Sequence, residues 1–521
     1  MPRIGHPLDR LFYPEAVAII GASRNPHKFG HIQVANLLRT GFRGRIYPVN
    51  PRADEILGLR CYPSILDVPG HVDVAVISIP APRVPGAVKE CVERGVPYVV
   101  VIASGFREAG PEGARLEREM LEAVEGTGTR IVGPNTTGIL NPESGFTTTF
   151  MPVYGPLKPG PVSFVVQTGL FAGTMLLHVL TAERFGFCKV AGLGNKCDLD
   201  ETEVLEYLAQ DPGTRVIAMY IEGVRDGRRF MEVAREVARE KPVLVLKPGR
   251  TEAGRRAALS HTGTLAGRDE IFDAVCRQCG LIRIRDFEEL LDLAKAFAMQ
   301  PIPRGPRVGV ASYTGAGCVI ASDECSLGGL KLAELSEATL DRLAKVLPPW
   351  ARPTHPIDIE PIHEAIGPDG YGLALEVLAE DPSVDAIMVN IMALPESMRG
   401  GPFYAGPEDF VRYFSGAREL APEKPVVACV GGDKEAVEAV VEALEDAGFP
   451  TYPSIRRAMR ALAALHRYAL IKRKLAGVRP QGKNTGAHTL SRNGADLVQA
   501  HRAPLQAQAR PEGEDTEGQA R

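Results

Sequence analysis

AVAIIGASRNPHKFGHIQVANLLRTG, residues 16–41, decides the fold of the first third of the chain. AVAII is strand-length and rich in residues that suit a pleated, buried surface. A glycine-bearing loop, GASRNPHKFG (21–30), follows, and HIQVANLLRTG then repeats apolar residues at helical spacing. A strand, a glycine turn and a helix form the opening of a nucleotide-type α/β unit. There, backbone N–H groups and the positive end of a helix can meet a phosphate. The spacing is not GxGxxG: the turn is longer and carries Lys28, a charge suited to a phosphate. The next apolar run, RIYPVN (45–50), ends in Asn50-Pro51, where an NAD site would place an acid on the ribose. An NAD-linked oxidoreductase is therefore disfavoured.

The same alternation continues outward through VDVAVISIP (72–80), YVVVIA (98–103) and RIVG (130–133), with helical patterns at 84–95 and 114–126 between them. Near-continuous apolar strands separated by helices predict a parallel sheet covered on both faces. Residues 8–145 thus read as a Rossmann-like domain. Residues 21–30, Asn50, 78–80, 104–106 and 133–138 all fall beyond the carboxyl ends of its strands, where open α/β sheets bind ligands.

A second series runs PVSFVVQTG (161–169), FCKVAGLGN (187–195), RVIAMYIEG (215–223), KPVLVLKPG (241–249) and LIRI (281–284). A third includes RVGVASYTGAG (307–317), VDAIMVNI (384–391), KPVVACVGG (424–432) and a closing helical pattern over 454–475. VVQTGLFAG and ASYTGAGCVI share a strand, a Thr-Gly turn and a small-residue helix start. The two series therefore read as duplicated flavodoxin-like domains, 155–298 and 303–475. From 476 the periodicity stops in polar, Gly/Gln/Arg/Glu-rich sequence, which predicts a disordered tail.

Bulk properties narrow the function. The 521 residues carry a net charge of −4, so no global basic field argues for nucleic acid or an anionic membrane. No run approaches the ~18 apolar residues of a membrane span, and the N-terminus lacks a secretory pattern. A cytoplasmic protein is expected. Nine scattered cysteines fit reduced, buried thiols. Cys276 and Cys279 form one CxxC without a second, so packing is preferred to zinc or redox chemistry, and no metal site is expected.

His261 stands out among eleven histidines by its setting, RRAALS-His261-TGTLAG. It reads as part of a Ser/Thr/Gly turn before a long helical pattern, with Arg255 and Arg256 upstream. The amides of such a turn, at Thr262 and Gly263, suit an anion, and a neutral imidazole there can carry a phosphoryl group. A plain helix cap is the alternative. Gln167-Thr168-Gly169 forms a second anion-type turn. Glu222, at a strand end, could hold the far imidazole nitrogen and fix its tautomer, or be an ordinary turn acid. Asn195 and Asp198 could shape the same surface, with Asp198 or Asp200 equally suited to cap the helix that follows.

Taken together, IIGASRNPHKFG, YPVNP, ISIPA, SGFREAG, GPNTTGILNP, GLGNKCDLDETEVLEYLAQDP, YIEGVRDG, LKPGRTEAG and ALSHTGTLAG resemble the α part of the succinyl-CoA synthetase superfamily. The likeness is greatest to its ADP-forming acetate–CoA ligase branch and runs from about 10 to 470. It implies a CoA-binding Rossmann-like domain followed by two flavodoxin-like ligase domains. Gly21, Ser23, Lys28, Asn50, Pro80 and Asn135 would then contact CoA. His261 would be phosphorylated with Glu222 as its partner, and Gln167, Thr168 and Gly169 would open a phosphate-holding helix. The implied chemistry interconverts acyl-CoA, phosphate and ADP with a carboxylic acid, CoA and ATP, through an acyl phosphate and a phosphohistidine. Two departures stand out. Val166-Gln-Thr-Gly169 replaces Ser-Gln-Ser-Gly, and Thr136 replaces a Cys. No ATP-grasp pattern and no GxxxxGK[ST] loop occurs, so ADP or ATP with Mg is expected on a separate ATP-grasp β subunit, in an α2β2 assembly. A CoA-binding regulator without catalysis is the competing reading.

Overall fold

The computed structural model describes residues 4–155, 157–167, 169, 171–262 and 267–477, without the side chains of 172–173 and 258–262. Thr168, Gly263 and the tail from 478 lie outside these residues. The first sheet has five parallel strands in the order Arg45–Val49, Ala16–Ile20, Val74–Ile77, Tyr98–Val101 and Arg130–Val132. The three central strands, Ala16–Ile20, Val74–Ile77 and Tyr98–Val101, are buried at every position, as strands sandwiched between helices require. The chain leaves Ala16–Ile20 to one side and later returns to the other. The crevice created by that reversal opens at the loop 21–30.

The second sheet has seven strands. Ile282–Ile284, Val243–Leu246, Val216–Tyr220, Pro159–Val166 and Phe187–Gly192 run parallel, and Ile139–Asn141 and Phe146–Thr147 complete the edge antiparallel. Residues 139–147, the end of the expected first domain, therefore pair with the second sheet. Leu140 opposite Val190 and Ile139 opposite Ala191 make that seam. A third sheet, with Arg307–Ser312, Ala386–Ala393 and Val426–Gly432 at its centre, is also parallel.

Apolar cores cross both seams. One joins Val17 and Ile19 to Val165 and Ile217, and another joins Phe164 and Leu290 to Val310 and Leu462. Each such side chain removed from water contributes about 1.5–3 kcal/mol. Buried charges at the second seam are paired, as burial demands. Asp292 accepts from Arg457 at 2.6 Å and Arg460 at 3.1 Å, while Lys295 meets Glu445 at 2.7 Å. All nine cysteines are free thiols, and Cys276 and Cys279 are buried on the helix Asp269–Cys279. No helix among the described residues is long and apolar enough to cross a membrane.

Candidate active site

A cavity of about 950 Å³ opens between the first and second sheets. One end is the loop 21–30, shaped by close backbone approaches. Gly21 has φ +94°, and a Cβ there would stand 2.6 Å from the Ser78 carbonyl oxygen. A Cβ on Gly30 would stand 2.1 Å from the Gly21 carbonyl oxygen. Local side chains hold the turn: Ser23 Oγ accepts from Asn25 N at 3.0 Å, and Asn25 Oδ1 accepts from His27 N at 2.9 Å. Asn50 donates through Nδ2 to the Ala22 carbonyl at 2.7 Å, tying the second strand's end to the loop. Gly21, Ser23, Lys28, Asn50, Pro80 and Asn135 all line this cavity.

The opposite end is built from the second sheet. Gln167, Gly169, Tyr220 and Glu222 line it. Gln167 Oε1 accepts from the Glu222 backbone N–H at 2.9 Å, and Gln167 N donates to the Tyr220 carbonyl at 3.0 Å. The ends of two adjacent strands are thereby locked together, with Gln167 and Glu222 both buried. Tyr220 is stacked on Phe287 with ring centroids 5.3 Å apart. Nearby, Lys247 directly follows the next strand, Val243–Leu246, and is 2% exposed. Burial pushes its ammonium below the ordinary lysine range and Arg283 and Arg255 add to that, while Asp269 and Glu222 oppose it.

The reading of His261 as a turn residue is corrected. The helix Glu252–Thr262 continues through Ser260, His261 and Thr262. The physical reason is plain in RRAALSHT, which holds good helix formers and no breaker before Gly263. His261 thus lies within the last described turn of a helix rather than in a loop before one. The side chains of His261 and Thr262, and all of Thr168 and Gly263, lie outside the described residues, so their expected contacts stay expectations.

Between the two ends, Asn195 is clamped across the seam. It donates through Nδ2 to Glu108 at 2.5 Å, and its carbonyl accepts from Arg107. Burial raises the Glu108 carboxyl, but donors from Asn195, Gly105 N and Phe106 N outweigh it and hold the group below its usual range. Asp200, not Asp198, caps the helix Glu201–Gln210, whereas Asp198 pairs with Arg130 at 2.9 Å. The sequence reading missed Phe29 and Phe150 as cavity residues. Their rings meet at 4.6 Å, and half of Phe29 is exposed. Phe29 lay in plain view inside the loop, but Phe150 sits in a connecting segment with no local signal.

Comparison with known proteins accords with this geometry. Residues 15–142 match a CoA binding domain, 159–297 a succinyl-CoA ligase like flavodoxin domain and 308–476 a ligase-CoA domain. The chain is 44% identical over 465 residues to acetate–CoA ligase [ADP-forming] II of Archaeoglobus fulgidus, covering 89% of this chain and 67% of that one. It is 40% identical over 445 residues to the α subunit of the Pyrococcus furiosus acetate–CoA ligase [ADP-forming] II, covering 85% and 94%. A Candidatus Korarchaeum cryptofilum acetyl-coenzyme A synthetase, solved with phosphate and ADP, superposes with a TM-score of 0.83 at 36% identity, covering 91% of this chain and 99% of that one. The chain belongs to the ADP-forming acetate–CoA ligase branch of the nucleoside-diphosphate-forming acyl-CoA synthetases, as an α-type chain that carries the CoA-binding domain.

Proposed function

We propose that the chain is the CoA-binding α subunit of an acid–thiol ligase, a cytoplasmic enzyme completed by a separate ATP-grasp β subunit in an α2β2 assembly. One observation carries the reading: a single cavity joins the loop 21–30 to Gln167, Gly169 and Glu222. CoA lies with its phosphates against the loop and Lys28, and with Asn50, Pro80 and Asn135 along its length. Its thiol then points toward the Gln167–Glu222 end.

A phosphate oxygen attacks the acyl-CoA carbonyl there, the C–S bond breaks, and CoA leaves as thiolate to take up a proton. Backbone amides at the start of the helix after Gln167 stabilise the incoming phosphate. An imidazole nitrogen of His261 then attacks phosphorus, and the carboxylate of the acid leaves. Glu222 accepts a hydrogen bond from the other ring nitrogen, which fixes the tautomer and supports the cationic ring of the phosphohistidine. Finally the β-phosphate oxygen of ADP takes the phosphoryl group on the partner subunit, where a bound Mg²⁺ would supply charge screening.

The test mixes the chain with an ATP-grasp partner and γ-labelled ATP. Acid-labile, base-stable label on this chain is expected, and it should vanish in His261→Ala. Label that persists in that variant would overturn the assignment.

A further inference from the structure

The second and third sheets repeat one scaffold, and the repeat sets a structural lysine apart from one of another kind. Tyr220 pairs with Leu246 in one sheet as Asn390 pairs with Cys429 in the other. Gln167 N donates to the Tyr220 carbonyl at 3.0 Å, and Tyr313 N to the Asn390 carbonyl at 3.3 Å. Lys241 and Lys424 stand two residues before the corresponding strands, Val243–Leu246 and Val426–Gly432. Both spend their ammonium on helix-end carbonyls. Lys241 donates to Leu208 and Asp211 at 2.7 Å, and Lys424 to Ala379 at 2.6 Å and Asp381 at 2.7 Å. That lysine belongs to the scaffold, and both copies keep it.

The copies differ at the carboxyl ends of these strands. Lys247, one residue past Leu246, corresponds to Val430, and both are buried. Glu222, two residues past Tyr220, corresponds to Met392. One copy thus has an ammonium and a carboxylate where the other has two apolar side chains. The fold accepts valine at the lysine position, so the buried charge is not needed for folding and works against it. Among the described residues the Lys247 ammonium makes one hydrogen bond, at 3.2 Å to the Pro248 carbonyl. It meets no carboxylate there at ion-pair distance.

The charged groups that act on this ammonium come from four elements. They are Asp269 on the helix Asp269–Cys279, Arg283 on the strand Ile282–Ile284, Arg255 on the helix Glu252–Thr262, and Glu222. Asp269 is already bound to Arg283 at 2.7 Å, and Arg255 repels. Next to Glu222, Lys196 donates to the Gly223 carbonyl, but its charge is paired with Glu201 at 2.6 Å. Ile221 N donates to the Leu246 carbonyl at 3.1 Å, which keeps the two strand ends side by side as far as Glu222 and Lys247. Glu222 lines the cavity and Lys247 does not. We infer that Lys247 is a positioning residue for phosphoryl transfer, its ammonium being the counter-charge that keeps buried Glu222 a carboxylate. This rests on the proposed role of His261 as phosphoryl carrier. Burial alone favours the neutral acid, which would bring no charge to the histidine ring.

The test follows phosphorylation of the chain, reconstituted with an ATP-grasp partner and γ-labelled ATP, by rapid quench from about pH 6 to about pH 8.5. Rates in Lys247→Met are taken relative to the native chain at each pH. Without the cation Glu222 holds its proton to higher pH. A loss of about 10-fold is therefore expected at the acid end, closing to within ~2-fold at the alkaline end. In the Glu222→Gln background the same substitution should cost less than ~2-fold at every pH, because the group it acts through is gone. Denaturant melts should show Lys247→Met at least as stable as the native chain, since the corresponding place in the other copy holds valine. A loss that is equal at every pH, losses that multiply in the double variant, or a less stable Lys247→Met would each overturn the inference. Label absent from the native chain would overturn the phosphohistidine reading, and the inference with it.

Discussion

At one end of the cavity ten consecutive residues, 21–30, make a binding loop. At the other, Gln167, Tyr220 and Glu222 come from neighbouring strand ends, while the proposed phosphoryl carrier, His261, belongs to the separate helix Glu252–Thr262. The loop gets its shape from backbone contacts: Gly21 and Gly30 approach so closely that neither tolerates a Cβ. The far end gets its shape from side chains reaching between strands, as Gln167 does to Glu222 N. The first end is thus suited to holding a ligand at fixed affinity, and the second to placing groups that act on a reacting atom. Substitutions at the two ends should separate binding from transfer.

The largest separation is expected from Glu222→Gln. It keeps the backbone bond to Gln167 but removes the charge, so phosphorylation of the chain in the reconstituted complex should slow by roughly 100-fold or more. CoA affinity should change by less than ~2-fold, since the exchange is nearly isosteric. Rapid-quench labelling with parallel CoA calorimetry measures both, and an equal loss in the two would erase the distinction between the ends. Gly30→Ala should do the reverse. Its methyl meets the Gly21 carbonyl oxygen at 2.1 Å, so the loop must open, at a cost of about 2 kcal/mol or more. CoA binding should fall by roughly 30-fold, whereas label on His261, once CoA-independent phosphorylation from ATP is measured, should persist.

The same contrast explains what could be read from the sequence. Ala16–Ile20, its glycine loop and the next helix were legible because strand, turn and helix are neighbours in the chain and their signals are local. The parallel sheets were legible for the same reason, through apolar runs such as Val74–Ile77 and Val243–Leu246. The reading failed where tertiary structure overrode the local pattern. Residues 139–147 look like the tail of the first domain, but their antiparallel pairing with Val190 and Ala191 is invisible without the fold. His261 was placed in a turn because Ser, Thr and Gly cluster there, yet RRAALSHT has enough helix propensity to continue past it. Phe150 owes its place to Gln33 and Asn36, more than a hundred residues earlier, and no spacing rule connects them.

A smaller effect is expected at Lys28. Its side chain is exposed on the loop, so its attraction for a phosphate is screened by water and salt. Lys28→Ala should weaken CoA binding by about 10-fold at low ionic strength, fading to ~2-fold at 0.5 M salt. A loss that does not respond to salt would mean that Lys28 shapes the loop rather than supplying charge.

The smallest effect is expected at Glu108, which holds the cavity residue Asn195. Its carboxylate accepts from Gly105 N at 2.7 Å and Phe106 N at 3.1 Å through Oε1, and from Asn195 Nδ2 through Oε2. These donors hold the folded carboxyl below its ordinary range. A depressed carboxyl adds stability above the unfolded value and loses it as pH falls through the folded one. In Glu108→Gln one oxygen can still accept from the loop amides, but the new amide nitrogen faces the Asn195 amide, donor against donor. At pH 7 the variant should be about 1 kcal/mol less stable. As pH falls below the ordinary carboxylate range and through the depressed folded value, the native carboxyl itself takes up a proton and the difference should close. Denaturant melts at pH 7 and in acid measure that convergence. Because Asn195 lines the cavity, CoA affinity read in the same samples should fall only slightly. A large fall would move Asn195 from the scaffold between the ends to the binding surface itself.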